Sequence, residues 1–140
     1  SFVIDRHGDD FRAMIEDGLI DILFVNESEL ATLTGKDSFD DGLSSLSGKV
    51  PVLVATRGAN GAVVVTEGKT CRVDAEPVDE VVDTTGAGDL FAAGFLAGHA
   101  SGRSPEECLT MGALAAAEII SHYGARPEAD LKSLVAKRFA

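Results

Sequence analysis

Apolar residues recur along this chain with two periods, one helical and one strand-like. Between Asp9 and Asp17, Phe11, Met14 and Ile15 keep helical spacing, and Gly18 follows as a stop. The run Leu19-Ile20-Asp21-Ile22-Leu23-Phe24-Val25 is short and rich in branched side chains, the pattern of a buried strand, with Asn26 at its C-terminal end. Helices are predicted over Glu27–Leu33, closing at Gly35, and over Phe39–Leu46, before Gly48. Strands are predicted at Val50–Thr56 and Ala62–Thr66. Between them lies Arg57-Gly58-Ala59-Asn60-Gly61, whose Asn-Gly pair reads as a tight hairpin turn.

Further on, Thr70–Ala75 alternates as an edge-type strand, and Val78–Val82 leads into Asp83-Thr84-Thr85-Gly86-Ala87-Gly88-Asp89. From Leu90 the pattern is helical. Phe91, Phe95 and Leu96 share one face, while Ala92, Ala93, Gly94, Ala97 and Gly98 let a neighbour approach closely. A second long helix is predicted from Ser104, with Pro105 in its first turn, to Tyr123, and it carries the small-residue stretch Gly112–Ala117. A last amphipathic helix spans Asp130–Phe139. Strands mixed with helices and joined by short polar turns imply an α/β fold, a three-layer sandwich around a largely parallel sheet. No repeat, low-complexity tract or linker interrupts it.

Composition narrows the function classes. The 140 residues, 45% of them hydrophobic, suit one globular core. No apolar run approaches the roughly 20 residues of a membrane span, and no basic-then-apolar leader opens the chain, so no membrane partner and a cytoplasmic location are expected. A net charge of -11 repels nucleic acid, although a small phosphorylated ligand can still sit on a local cluster of donors. Cys71 and Cys108 lack ligand spacing and read as inert thiols. The chain opens on Ser1 without an initiator methionine, which suggests an excised piece.

Candidate chemistry concentrates at Asp83–Asp89. Two glycines flank an alanine just before a helix, so the amides of Gly86, Ala87 and Gly88 can converge on an anion over the helix N-terminus. Asp89 would serve as an N-cap in an ordinary turn. A carboxylate beside an anion nest is better explained as a base that takes a proton from an attacking hydroxyl. Two near-matches fail: Gly68-Lys69-Thr70 ends like a Walker A loop, but Val63 stands at its first glycine, so it reads as a turn, and His7, His99 and His122 have no metal-ligand spacing.

Read as DTTGAGDLFAAGF, residues 83–95 resemble the second signature of the PfkB, or ribokinase-like, family of carbohydrate and nucleoside kinases. That resemblance implies Asp89 as catalytic base, with Gly86, Ala87 and Gly88 forming the anion hole. Asn26-Glu27-Ser28-Glu29 resembles the family's Asn-x-x-Glu motif, which implies that Asn26 and Glu29 help hold magnesium and its waters at the phosphates of ATP. Taken alone, Glu29 reads as an ordinary first-turn glutamate. Thr56-Arg57-Gly58-Ala59-Asn60-Gly61 resembles the family's Thr-x-Gly-x-x-Gly turn, so Thr56, Gly58 and Gly61 would line nucleotide phosphates. Arg57 reads equally as a phosphate contact or a solvated turn residue. Gly112 and Ala115 would border the adenine, or serve close helix packing.

Ile119–Pro127 resembles the loop with which many members bind potassium. By that likeness the ligands are Asp83, Thr85, Ile119, His122, Gly124 and Glu128; the alternative is a helix stop at Gly124 and Pro127. The likeness covers only the C-terminal, nucleotide-binding part of a family member and omits the N-terminal half and lid. It implies transfer from ATP to a hydroxymethyl group, with adenosine kinase-like acceptors favoured over ribokinase- or fructokinase-type sugars. A non-catalytic nucleotide-binding module is the competing class. For the full-length protein, a homodimer is compatible with the resemblance.

Overall fold

Residues 2–140 are described by a computed structural model, Phe2, Val3 and Asp5 through their backbone alone. Where length predicts one core, the chain divides into two compact units: residues up to Arg57 with Val63–Cys71, and Gly58–Ala62 with Arg72–Ala140. Among the described residues no helix is long and apolar enough to cross a membrane.

The first unit contains α1 (Phe2–Glu16), β1 (Ile22–Asn26), α2 (Glu27–Thr34), α3 (Phe39–Leu46) and β2 (Val52–Thr56), together with most of β3 (Ala62–Thr66) and β4 (Lys69–Val73). Helix α1 begins earlier than its apolar spacing predicts. It bends at His7 (φ -126, ψ 26), next to the weak helix former Gly8, so the periodic signal starts only beyond the bend. Strand β2 begins at Val52 because Pro51 has no N–H to give a ladder. Sheet order is β1-β2-β3-β4, with β1 and β2 parallel from Ile22↔Val52 to Asn26↔Thr56. Leu53 and Ala55 of β2 join a core with Leu23, Val25, Leu30 and Leu43, while Val54, on the opposite face, is also fully buried. Burial on both faces is why these strands read as nearly unbroken apolar runs.

The parallel character rests on β1 and β2. The connections to β3 and β4 are too short for a crossover, so those two pairings are antiparallel. Asn60-Gly61 does not form the tight two-residue turn that the dipeptide suggests. Gly58–Asn60 make a 3-10 turn, the Gly61 amide donates to the Gly58 carbonyl at 3.1 Å, and only the glycines, at φ 54 and 80, are left-handed. The two-residue hairpin is Glu67-Gly68, at φ 51 and 71, as a type I′ turn requires.

In the second unit, α4 (Ala87–Ala100) crosses α5 (Pro105–Ile120), and α6 (Leu131–Arg138) follows. A Cβ on Gly94 would lie 2.5 Å from the Met111 carbonyl oxygen, so the small residues exist to bring the two helices together. Phe91, Phe95, Cys108, Leu109 and Ile119 are buried in this unit; Cys71, in the first unit, is half-buried. Helix α5 stops at Ile120, short of the predicted Tyr123, because the Val82 amide takes the Ile120 carbonyl at 2.8 Å.

Candidate active site

Parallel strands deliver their last residues to one edge of the sheet, where open α/β sheets bind ligands. Here Asn26 and Thr56 are register partners at the C-terminal ends of β1 and β2. Asn26 also caps α2: its Oδ1 accepts from the Glu29 amide at 2.8 Å, and the Asn26 amide donates back to Glu29 Oε2 at 3.0 Å. The Asn-x-x-Glu pattern is therefore a capping box. A carboxylate has about four lone-pair sites, so this use of Glu29 is compatible with ordering the waters of a metal ion. The Arg57 side chain is partly buried, and its charge already has partners in the first unit. Its guanidinium lies 4.2 Å from the Phe39 ring centroid and pairs with Glu27 at 3.2 Å.

In the second unit, Asp83 organises the loop before α4. Its Oδ1 accepts from the Thr85 amide at 2.9 Å and the Thr85 hydroxyl at 2.7 Å, and its Oδ2 accepts from the Gly124 amide at 3.1 Å. Those bonds, the Thr85 hydroxyl first, hold the Asp83 carboxyl below the usual carboxylate range. The next residue but two, Gly86, is left-handed (φ 81) and is the N-cap of α4, with no side chain closing the helix start. A Cβ on Gly86 would meet that of Ala125 at 2.9 Å, so glycine is required by conformation and by space.

The nest differs in detail from the three converging amides read from sequence. Ala87 donates to the Thr84 carbonyl at 3.2 Å, which closes the turn and withdraws that amide. Among the described residues, the amides of Gly88 and Asp89 have no backbone acceptor. Asp89 is not the N-cap; it occupies the third position of α4, exposed, and its carboxylate makes no hydrogen bond or ion pair among the described residues.

The turn after α5 carries the remaining predicted ligands. Ile119 is fully buried in the last turn of α5. The His122 imidazole contacts Glu118 at 3.1 Å, and the Tyr123 carbonyl, Glu118 and Glu128 raise its pKa against the opposing effect of burial. The carboxylate of Glu128 lies 3.9 Å from the other ring nitrogen and is mostly exposed. Among the described residues no group of three or more His, Cys, Asp and Glu side chains forms a metal cage. Elsewhere, Gly112 packs against Phe91, where a Cβ would be 2.9 Å from the carbonyl oxygen. Ala115 lines an apolar cavity of ≈ 380 Å³ with Ala93, Gly94, Leu131 and Val135. Gly61 packs on the backbone of Val73 and Asp74, where a side chain would collide.

A sequence profile of pfkB family carbohydrate kinases matches residues 2–131. The chain belongs to the pfkB family. Cytidine kinase of Thermococcus kodakarensis is 40% identical to it over 108 residues, covering 75% of this chain and 38% of that protein. The crystal structure of adenosine kinase from Sinorhizobium meliloti superposes with a TM-score of 0.93 at 40% identity, over 99% of this chain and 42% of that one. Arabidopsis thaliana ribokinase complexed with ribose and ATP gives a TM-score of 0.77 at 33% identity, over 90% and 42%. The chain thus has the ribokinase-like α/β fold and spans about two fifths of these pfkB relatives.

Glu118 belongs to this site and was not among the residues picked out by motif. The available signal was an acid near the C-terminal end of a small-residue helix, where the macrodipole disfavours negative charge.

Proposed function

We propose that this chain is the nucleotide-binding and catalytic part of an ATP-dependent kinase that phosphorylates a hydroxymethyl group of a nucleoside or sugar. The observation that carries this reading is the start of α4. It is a helix N-terminus with no side-chain cap, open amides at Gly88 and Asp89, and an unpartnered carboxylate in its first turn. Open amides suit the charge that develops on a transferring phosphoryl group, while an unpaired carboxylate suits removal of the proton from the attacking hydroxyl. Asp89 is the base in this mechanism. Thr56, Gly58 and Gly61 hold nucleotide phosphates, and Asn26 and Glu29 order the waters of a magnesium ion, which when bound neutralises phosphate charge. Asp83, Thr85 and the carbonyls of Ile119, His122 and Gly124 would hold potassium, with Glu128 at its margin.

An adenosine-like acceptor is favoured by the 40% identity to the Sinorhizobium meliloti adenosine kinase. Sugar acceptors form the second reading, favoured by the likeness to a ribokinase complexed with ribose and ATP. The 140 residues alone are expected not to turn over, since the chain spans only about two fifths of its relatives. The deciding experiment uses the full-length protein. Asp89→Asn should lower turnover by at least ~10²–10⁴, the usual contribution of a general base, while ATP binding persists. Activity within a few-fold of wild type would remove Asp89 from its role, and nucleotide binding without turnover of any nucleoside or sugar by wild type would favour a binding module.

A further inference from the structure

Glu118 stands where a carboxylate is disfavoured for three separate reasons. It lies in the last turn of α5, at the negative end of the helix dipole. Its side chain is only 8% exposed, and removing a charge from water is unfavourable unless hydrogen bonds replace the lost hydration. Its Oε2 is buried without a partner among the described residues. A position that opposes its occupant on all three counts needs a compensating role.

The compensation converges on the other oxygen. Glu118 Oε1 accepts from the amides of Glu128 and Ala129, both at 2.8 Å, and from His122 Nε2 at 3.1 Å. Burial pushes the Glu118 pKa up, but the Ala129 and Glu128 amides and the imidazole outweigh it and hold the carboxyl below its ordinary range. One carboxylate oxygen therefore closes the whole turn that leaves α5. Inside that turn, the Gly124 amide donates to Asp83, and Ala125 lies against Gly86 at the start of α4. The contacts form a continuous path from Glu118 through the turn to Asp83, Thr85 and Gly86.

We propose that Glu118 is a positioning residue for phosphoryl transfer, its Oε1 clamping residues 122–129 so that Gly124 and Ala125 brace the loop leading into the first turn of α4, which carries the Gly88 and Asp89 amides. The proposal rests on the phosphotransferase reading above. Without the clamp, the Glu128 and Ala129 amides lose their tie to α5, the Gly124–Asp83 bond is left to hold a longer free turn between α5 and α6, and the helix start it braces is less firmly oriented. Donors that stabilise a transition state act through preorganisation, so looseness there lowers kcat more than it weakens ATP binding.

The test separates reach from charge in the full-length protein. Glu118→Gln keeps an oxygen at the same reach and loses the charge. Glu118→Asp keeps the charge and withdraws the oxygen by one methylene. The clamp requires the Asp variant to lose about 10- to 100-fold in kcat, with KM for ATP changed by less than about threefold, the pattern of misplaced groups remote from the reacting atoms. The Gln variant should retain most of the turnover, and hydrogen exchange at the Glu128 and Ala129 amides should accelerate in the Asp variant and not in the Gln variant. Wild-type turnover in Glu118→Asp, or a larger loss in Gln than in Asp, overturns the proposal. Wild type and Asp89→Asn are assayed alongside. An inactive wild type overturns the kinase reading and this proposal together, whereas an active wild type with an inert Glu118→Asp substitution overturns only the clamp.

Discussion

Helices α2 to α6 begin in two ways. Those at α2, α3, α5 and α6 are closed by side-chain oxygens of Asn26, Ser38, Ser104 and Asp130, and at α2 and α5 a glutamate returns the bond to complete a capping box. Helix α4 begins on a left-handed glycine with no side-chain cap. A cap satisfies donors that would otherwise point at solvent, and typically contributes about 1 kcal/mol. Leaving α4 uncapped gives up that stabilisation and keeps the donors available for something outside the helix. The acids differ in the same sense: Glu29 and Glu107 fold back onto their own caps, whereas Asp89, at the equivalent third position, does not.

Changing the open start should produce the largest effect after loss of Asp89 itself. Gly86→Ala puts a Cβ into the left-handed region, which disfavours the fold by roughly 1–2 kcal/mol, and drives it against Ala125. The turn must shift, and turnover of the full-length protein is expected to fall by about 10²-fold, as misplacement of an aligned site does. The checks are a thermal melt and a steady-state assay on the same sample. Retention of wild-type turnover in Gly86→Ala would break the contrast between open and closed helix starts.

How far this contrast was legible beforehand depended on where each signal was stored. Ser104, Pro105 and Glu107 lie within four consecutive residues and announce the start of α5 directly, and the apolar runs at β1 and β2 required burial on both faces. The glycines at 86 and 88 with Asp89 were equally local. Partners distant in sequence left no such trace. The ring and carboxylate that pack on Arg57 come from Phe39 and Glu27, and two of the groups held by Glu118, the Glu128 and Ala129 amides, belong to the backbone, which no side-chain pattern reveals. His122, four residues on from Glu118, is a local pair by contrast. Gly61 looked like half of an Asn-Gly turn, yet its role comes from the backbone of Val73 and Asp74 pressing on it. Glu67 at φ 51 adopts a conformation for which its residue type gives little warning.

A smaller effect sharpens the comparison at α2, where a closed start coincides with a proposed metal role. Asn26→Ser keeps a good N-cap, so thermal stability should stay within a few tenths of a kcal/mol, while the proposed part of Asn26 at the magnesium waters is removed. The magnesium concentration for half-maximal rate should then rise several-fold over that of wild type, in line with the loss of an outer-shell partner. Superimposable magnesium titrations would leave Asn26 as a cap alone. Asn26→Ala would alter both properties and cannot make this distinction.

The smallest expected effect concerns the closed start of α5, read through pH. Glu107 accepts from the Ser104 amide at 2.9 Å and from Arg103 Nη1 at 2.9 Å, and Ser104 Oγ accepts the Glu107 amide in return. The bond from the Ser104 backbone, then that with its side chain, then Arg103, hold the Glu107 pKa below its ordinary value against a modest opposing effect of burial. A carboxyl whose pKa is lower in the folded than in the unfolded state binds fewer protons when folded. Its contribution is therefore complete above the ordinary glutamate value of about 4.3 and is lost as pH falls through the lower, folded value. Glu107→Gln keeps an oxygen that can accept the Ser104 amide, as capping boxes allow, and has no proton to gain. The difference in melting temperature between wild type and Glu107→Gln should therefore be constant from pH 7 to pH 5 and shrink below that. The exposed position of the pair keeps the difference small and lets added salt reduce its Arg103 component. A difference that stays level down to pH 3 would mean that the box at α5 is held by geometry alone, and that charge plays no part in distinguishing a closed helix start from the open one at α4.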